Sequence, residues 1–275
     1  MTTRTALTAA LLALPLLLAG CGGGDSDASG TGGAEEPLRV GASPVPHAEI
    51  LEYVAEVLAP EAGLAIEVVE FTDYVQPNVA LHDGSIDANY FQHEPYLTEQ
   101  ENGAGYQFEP VAPVHLEPLG LYSAMAEEVA DLPDGATVAI PNDPSNVGRA
   151  LRLLAEEGLL TLADTGDAAP TTADIEENPK QLQLSEIEAA QLPRVLGDVD
   201  AAVINGNYAL EAGLSPAEDA VAAESADDNP YANLLVTREG EQDDERVARL
   251  AELLQSKQVA DFIAERYEGA VVPAA

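Results

Sequence analysis

The chain is short of cations. Eleven Lys and Arg face 49 Asp and Glu, for a formal net charge of −38. No basic patch exists, which disfavours nucleic acid and anionic lipid surfaces as partners. Charge of this size also points, weakly, to a salty habitat where repulsion is screened. The acids are spread along the chain and read as solvated faces, not as a metal cage. There is one cysteine, Cys21, so no disulfide framework can form within the chain. Tryptophan is absent and aromatics make up only 5% of residues, so any cluster of them carries weight. Walker, paired-cysteine and HExxH motifs are missing, and Ser43, Ser123, Ser145 and Ser185 have no nucleophile-elbow context. Neither an enzyme nor a bound cofactor is expected.

Residues 6–19, ALTAALLALPLLLA, form an apolar run of 14 after the single charge of Arg4. A membrane span needs ~20 residues, and Pro15 interrupts this one, so a signal peptide over residues 1–20 fits better. The run ends in Leu18-Ala19-Gly20-Cys21, which resembles the lipobox of bacterial lipoproteins. That resemblance implies cleavage before Cys21 and a diacylglycerol on its thiol. The chain would then be anchored to the cell membrane on the extracytoplasmic side. Residues 22–37 are rich in Gly, Ser and acids and read as a flexible tether.

From residue 38 onward, short apolar runs alternate with helical patterns. Strands are expected at 38–42, 65–71, 86–91, 119–123, 136–140, 200–205 and 232–237. Helices are expected at 47–59, 75–83, 94–102, 145–157, 185–192, 207–212 and 243–266, the last broken near Ser256. Such alternation argues for an α/β fold with largely parallel sheets. One phrase occurs twice, GSIDANYF at 84–91 and GDVDAAVI at 197–204. Two lobes of similar build, with a ligand between them at the strand ends, would account for it. A common helix-to-strand turn would account for it equally well.

The most informative stretch is VAIPNDPSNVGRAL, residues 138–151. A strand runs into a Pro/Asn/Asp/Ser turn, and a helix follows with Arg149 near its start. A helix N-terminus offers N–H groups to an anion, and a guanidinium offers a fork that fits a carboxylate or phosphate. The alternative role for Asn146 is to cap that helix. A second cluster, DANYFQHEPYL at 87–97, places Phe91 and His93 on one side of a strand end, with Tyr96 beyond. With Tyr74 these suit an apolar pocket with polar tips, whereas Phe71 and Tyr90 read as core. Asn205, Asn207 and Asn233 lie at strand ends, where asparagine is a structural default, though its amide can serve both ends of an amino acid.

Seven segments in order, LRVGASPVPHAEIL, FTDYVQPNVAL, DGSIDANYFQHEPYL, APVHLEPLGLYS, VAIPNDPSNVGRALRLL, DAAVINGNYALEAGL and NPYANLLVTR, resemble the methionine-binding lipoprotein family. These are the substrate-binding components of methionine ABC importers. The resemblance spans about residues 38–240. It implies a two-lobed periplasmic-binding-protein-like fold, each lobe a mainly parallel sheet flanked by helices, with the ligand in the cleft. Lobe 1 would be 38–117 plus 233–275, and lobe 2 118–232. It further implies that Arg149 binds the ligand carboxylate, with Asn146 in the same turn, and that Asn205 contacts the ligand's backbone groups. Tyr74, Phe91, His93 and Tyr96 would surround the thioether. L-methionine or a relative, the importer's permease and its ATPase would be the partners. Ser145 stands where threonine is common, and Gly206-Asn207 leaves a role for Asn207 in doubt. One alternative remains open from the residues themselves. Three of His47, His82, His93 and His115 could meet an acid in a cleft and capture zinc or manganese.

Overall fold

The computed structural model describes residues 36–274. The signal-peptide, lipidation and tether expectations at residues 1–35 lie outside the described residues. Among those described, no helix is long and apolar enough to cross a membrane.

Thirteen strands occur among the described residues. In chain order the first six are β1 (Leu38–Ala42), β2 (Ile66–Glu70), β3 (Ala88–His93), β4 (Phe108–Leu116), β5 (Gly120–Tyr122) and β6 (Thr137–Pro141). A small pair, β7 (Thr161–Leu162) and β8 (Ile175–Glu177), stands apart. The rest are β9 (Gln183–Ile187), β10 (Ala201–Ile204), β11 (Ala222–Ala223), β12 (Asn233–Arg238) and β13 (Val272–Pro273). Two sheets result, ordered β13-β4-β12-β3-β1-β2 and β11-β5-β10-β6-β9.

The sheets share a plan. In each, three strands are parallel, β2-β1-β3 in the first and β10-β6-β9 in the second, and the others join them antiparallel. The expectation of mainly parallel sheets therefore describes one half of each. The antiparallel half exists because β5 and β12 are the strands that follow each passage of the chain from one sheet to the other. They enter beside a strand running the opposite way and need no crossover helix. Those passages lie between Leu116 and Gly120 and between Ala223 and Asn233.

The first sheet is covered by a helical run over residues 44–62, which includes α1 (Glu49–Tyr53) and α2 (Ala59–Ala62). Next in the chain, α3 (Gln76–His82) and α4 (Glu94–Ala104) flank β3, and α5 (Pro144–Glu156) follows β6. Two short helices, α6 (Leu192–Val195) and α7 (Gly206–Glu211), lie on either side of β10 in the chain. The C-terminal α8 (Glu245–Leu254) and α9 (Lys257–Tyr267) meet at Ser256, whose side chain caps α9. Val247, Leu250, Leu254, Val259 and Ile263 of this pair pack on Val40 and Leu235 of the first sheet. On the second sheet, Ala150, Leu151 and Leu154 of α5 pack on Val138, Ile140 and Val203. Each such leucine, fully buried, contributes roughly 1.5–3 kcal/mol by transfer from water.

Two elements differ from expectation. Of the helix expected at 185–192, residues 185–187 belong to the edge strand β9, where Leu182 and Leu184 share one face, Ile187 takes the other, and β6 accepts the strand in parallel register. Strand β4 escapes notice because Pro110 and Pro113 interrupt it. Its register with β12 slips twice, between Asn233 and Leu234 and between Leu235 and Val236, and these irregularities accommodate the missing donors.

The repeated phrase has a structural counterpart. The Arg39 backbone N–H donates to the Asp87 carboxylate at 2.8 Å, and the Asp87 N–H donates to the Arg39 carbonyl at 2.8 Å. The Thr137 N–H donates to the Asp200 carboxylate at 2.8 Å, and the Asp200 N–H to the Thr137 carbonyl at 3.0 Å. In both sheets the aspartate ahead of one parallel strand clamps the start of its neighbour.

Candidate functional site

Strand ends of both sheets converge on one pocket. His93 closes β3, Asn233 opens β12, and His115 lies near the end of β4. They are paired in register, His93 with Asn233 and Asn233 with His115, so they form a row across the first sheet. From the second sheet come the turn after β6 with Asn146 and Arg149, and the end of β10 with Asn205 and Asn207. Carboxyl ends of parallel strands are where open α/β sheets bind ligands. The cavity is small and is lined by Tyr74, Phe91, His93, Tyr96, Arg149 and Asn205, with Glu117, Asn146, Asn207 and Asn233 among the others. A wider groove opens near Glu99, Arg152 and Asp227, but it is broad and lined by acids. Buried polar atoms converge in the smaller cavity.

Hydrogen bonds fix the orientation of each polar group there. The Asp143 side chain caps α5, accepting from the Asn146 backbone N–H at 2.9 Å and from its side-chain Nδ2 at 2.8 Å. Asp143 thus holds the cap position considered for Asn146. A carboxylate only accepts, so Asn146 must turn Oδ1 the other way. That oxygen accepts from Asn205 Nδ2 at 3.0 Å and faces His93 Nε2 at 3.3 Å. His93 caps α4, with Nδ1 accepting from the Tyr96 N–H at 3.2 Å. Its proton therefore sits on Nε2 and is donated to Asn146. Burial pushes the His93 pKa down to about 3, and the charge of Arg149 pushes the same way, so the ring is neutral at neutral pH. Asn205 is left with Oδ1 buried and unpartnered. The Tyr74 hydroxyl donates to Asn207 Oδ1 at 2.5 Å, which leaves Asn207 Nδ2 buried and unpartnered. An orphaned acceptor and an orphaned donor thus line one cavity. Buried polar groups are rarely left so without a ligand or water.

Arg149 is buried and already engaged. Its Nε and Nη2 donate to Glu224 at 2.8 and 2.6 Å, and Nη2 also donates to the Glu117 carbonyl at 2.8 Å. Its guanidinium stacks 4.2 Å over the Tyr231 ring. Among the described residues Nη1 makes no hydrogen bond. The sequence could not show that Glu224, 75 residues further on, would neutralise this cation.

Tyr74, Phe91 and Tyr96 form the apolar wall. Their ring centroids lie 5.8 to 6.1 Å apart, and the Tyr96 hydroxyl donates to the Tyr74 carbonyl at 3.0 Å. All seven ligand-site expectations, Tyr74, Phe91, His93, Tyr96, Asn146, Arg149 and Asn205, line this cavity. Sequence reasoning missed Glu117 and Tyr231, and undervalued Asn207 and Asn233. Both asparagines were visible as strand-end residues, but nothing in the spacing separated them from ordinary turn formers.

The histidines divide. His82 packs beside Tyr106, away from the cavity, and His93 is committed to Asn146. Only His47 and His115 meet an acid, Glu117, and both direct Nε2 to the same carboxylate oxygen, at 3.3 and 2.7 Å. The Nδ1 of His115 is occupied by the Tyr90 hydroxyl. Two histidines and Glu117, with ligand atoms within 4.8 Å of one another, come together in place of the three histidines and an acid that the metal reading requires, and His115 has both ring nitrogens in hydrogen bonds.

Comparison with known proteins decides the family. The family model described as NlpA lipoprotein matches residues 38–275. The chain belongs to the NlpA lipoprotein family. A curated family member from Vibrio cholerae, named probable D-methionine-binding lipoprotein MetQ, is 40% identical over 269 residues, covering 98% of this chain and 97% of its own. The methionine-binding lipoprotein MetQ of Bacillus subtilis is 40% identical over 273 residues, covering 97% of each. A solved nutrient-binding protein from Burkholderia cenocepacia, bound to methionine, superposes with a TM-score of 0.84 at 46% identity, covering 86% of this chain and all of that one. The fold is thus the two-lobed substrate-binding fold of these relatives. Family members of this kind are binding proteins, not enzymes. None of these relatives is named for a metal, and the metal-capture alternative is not supported.

Proposed function

We propose that this protein captures methionine, or a close derivative, in the cleft between two lobes and delivers it to an ABC importer. The observation that carries the reading is the joint presence of Arg149, the orphaned Asn205 Oδ1 and Asn207 Nδ2, and an aromatic wall around one small cavity. Arg149 takes the ligand carboxylate through the guanidinium edge that Glu224 leaves open. Asn146 holds Asn205 so that its oxygen faces the ligand's backbone groups. Tyr74, Phe91 and Tyr96, with the neutral ring of His93, surround the side chain. A thioether against aromatic rings gains ~0.3–1.5 kcal/mol per contact. The names of the relatives support methionine as the ligand, and both enantiomers are candidates. The lobes are 38–117 with 233–275, and 118–232. Cys21 carries the lipid that holds the protein at the extracytoplasmic face of the membrane, where it meets the permease, with the importer's ATPase on the other side.

Titration calorimetry of ligand-stripped protein with L- and D-methionine tests the reading. Saturable heat at one site per chain is expected, and no heat with either isomer overturns it. Arg149→Ala is expected to weaken binding at least about tenfold, because truncation leaves a buried carboxylate unpaired. Unchanged affinity removes Arg149 from the site.

A further inference from the structure

A free arginine side chain samples many rotamers, and a site that uses one must suppress them. At Arg149 that freedom is already gone. Nε and Nη2 point at the two oxygens of Glu224, at 2.8 and 2.6 Å, and Nη2 also reaches the Glu117 carbonyl. The guanidinium stacks against the Tyr231 ring. Of its three nitrogens, only Nη1 has no partner among the described residues.

Glu224 is itself held from both passages of the chain between the sheets. Its Oε2 accepts from the Leu119 N–H at 3.0 Å and from Asn229 Nδ2 at 3.3 Å. Its own backbone N–H donates to the Leu119 carbonyl at 2.9 Å. Leu119 belongs to the first passage, Glu224 and Asn229 to the second. Asn229 Oδ1 also accepts from the Tyr231 N–H at 3.0 Å, so the ring that stacks on the guanidinium hangs from the same node. With the two nitrogens of Arg149, four donors converge on one carboxylate. Only an ionised acid can accept from all of them, because glutamine would set a donor against donors. A counter-charge alone needs no such anchorage. A chain with 49 Asp and Glu could put one at the end of any flexible side chain.

We propose that Glu224 is a positioning residue for ligand capture: it fixes the Arg149 guanidinium to both passages before the ligand arrives, so that Nη1 meets the ligand carboxylate already ordered. The inference rests on the proposed function. Glu224 makes no ligand contact of its own, and its effect runs through the guanidinium. Order set in advance raises affinity without adding a contact. The negative charge of Glu224 acts the other way, since it opposes an incoming carboxylate. Position and charge therefore predict opposite results when Glu224 is replaced.

The test titrates ligand-stripped wild type and Glu224→Gln with L-methionine and with L-methioninamide, which lacks the carboxylate. Glutamine is nearly isosteric, removes the charge and breaks the node of acceptors. The variant is expected to bind methionine about tenfold more weakly, the scale of ordering one long side chain, while its affinity for methioninamide changes less than about threefold. In an Arg149→Ala background the same substitution is expected to change methionine affinity less than about twofold, because no guanidinium remains to be positioned. Unchanged or tighter methionine binding by Glu224→Gln overturns the inference and leaves Glu224 a counter-charge only. Equal weakening of both ligands overturns it as well, since that marks a structural role. A second measurement needs no Glu224 variant. In stripped wild type the Arg149 Nε–H proton, assigned by its loss in Arg149→Lys, is expected as a sharp, slowly exchanging NMR signal that methionine leaves sharp. A signal that sharpens only with methionine overturns the inference, even where Glu224→Gln does not fold. Failure of wild type to bind methionine at all overturns the proposed function, and the inference with it.

Discussion

At the residue scale, the histidines set how the protein meets acid. His47, His93 and His115 are all buried and neutral, with pKa values pushed down to about 4, about 3 and about 3. Unfolded histidine takes a proton near pH 6.5, so between there and the folded values the unfolded chain binds protons that the native one refuses. Stability from these groups is complete above pH 6.5 and is lost as the pH falls toward 4. The slope reaches about 1.4 kcal/mol per pH unit for each histidine. Glu117 works the other way, since its raised pKa means that acid relieves a buried charge. Urea unfolding at pH 7 and pH 5 is expected to show a marked loss at pH 5, and a His47→Gln, His115→Gln protein a smaller one. The residue scale is also where the sequence spoke most clearly. Arg149, Phe91, His93 and Tyr96 stood out because arginine and aromatics are rare here and sat beside strand ends. Glu117 is one of 49 acids, and nothing along the chain says that two imidazoles will close over it.

At the scale of elements, the two aspartate clamps are equivalent devices in separate sheets. Asp87 ties the start of β3 to β1, and Asp200 ties the start of β10 to β6. Each removes an edge of freedom from a parallel pair that no hairpin holds in register. Asp87→Ala and Asp200→Ala are each expected to cost about 1–3 kcal/mol, the range for a hydrogen bond to a charged group. The double variant should cost close to the sum, because the clamps share no partner. Denaturant midpoints of the three variants check this, and strong coupling between them would contradict it. The Gly-x-(Ile/Val)-Asp-Ala phrase was legible in the sequence and pointed correctly to similar construction. Strand β4 was not legible, because its two prolines hid the alternation, and neither was β9, because its end runs straight into the helical turns at Ala189–Gln191 and Leu192–Val195.

Across the whole molecule, the net charge of −38 acts as a spring pushing outward. The few cations are spent locally, as in Arg246 with Asp244 or Lys257 with Asp261, and most acids face only solvent. Screening shortens from ~10 Å at 0.1 M salt to ~3 Å at 1 M. Sodium chloride raised from 0.05 to 1 M is therefore expected to raise the melting temperature by several degrees. A flat or falling melting temperature would show that repulsion contributes little to the stability.

Beside the packing of Tyr74 on Tyr208 and of Leu210 on the first sheet's core, a set of hydrogen bonds spans the cleft. The Tyr74 hydroxyl reaches Asn207, His93 reaches Asn146, the Ser145 N–H reaches Glu99 at 3.3 Å, and the Tyr208 hydroxyl reaches the Thr72 carbonyl at 3.4 Å. Water can take the place of every partner in these hydrogen bonds. A joint sealed by oily surface resists being prised open, because parting it exposes what water rejects. A joint stitched with hydrogen bonds parts one stitch at a time, each replaced as it breaks. The same molecule can thus grip its cargo tightly and still surrender it to a modest pull.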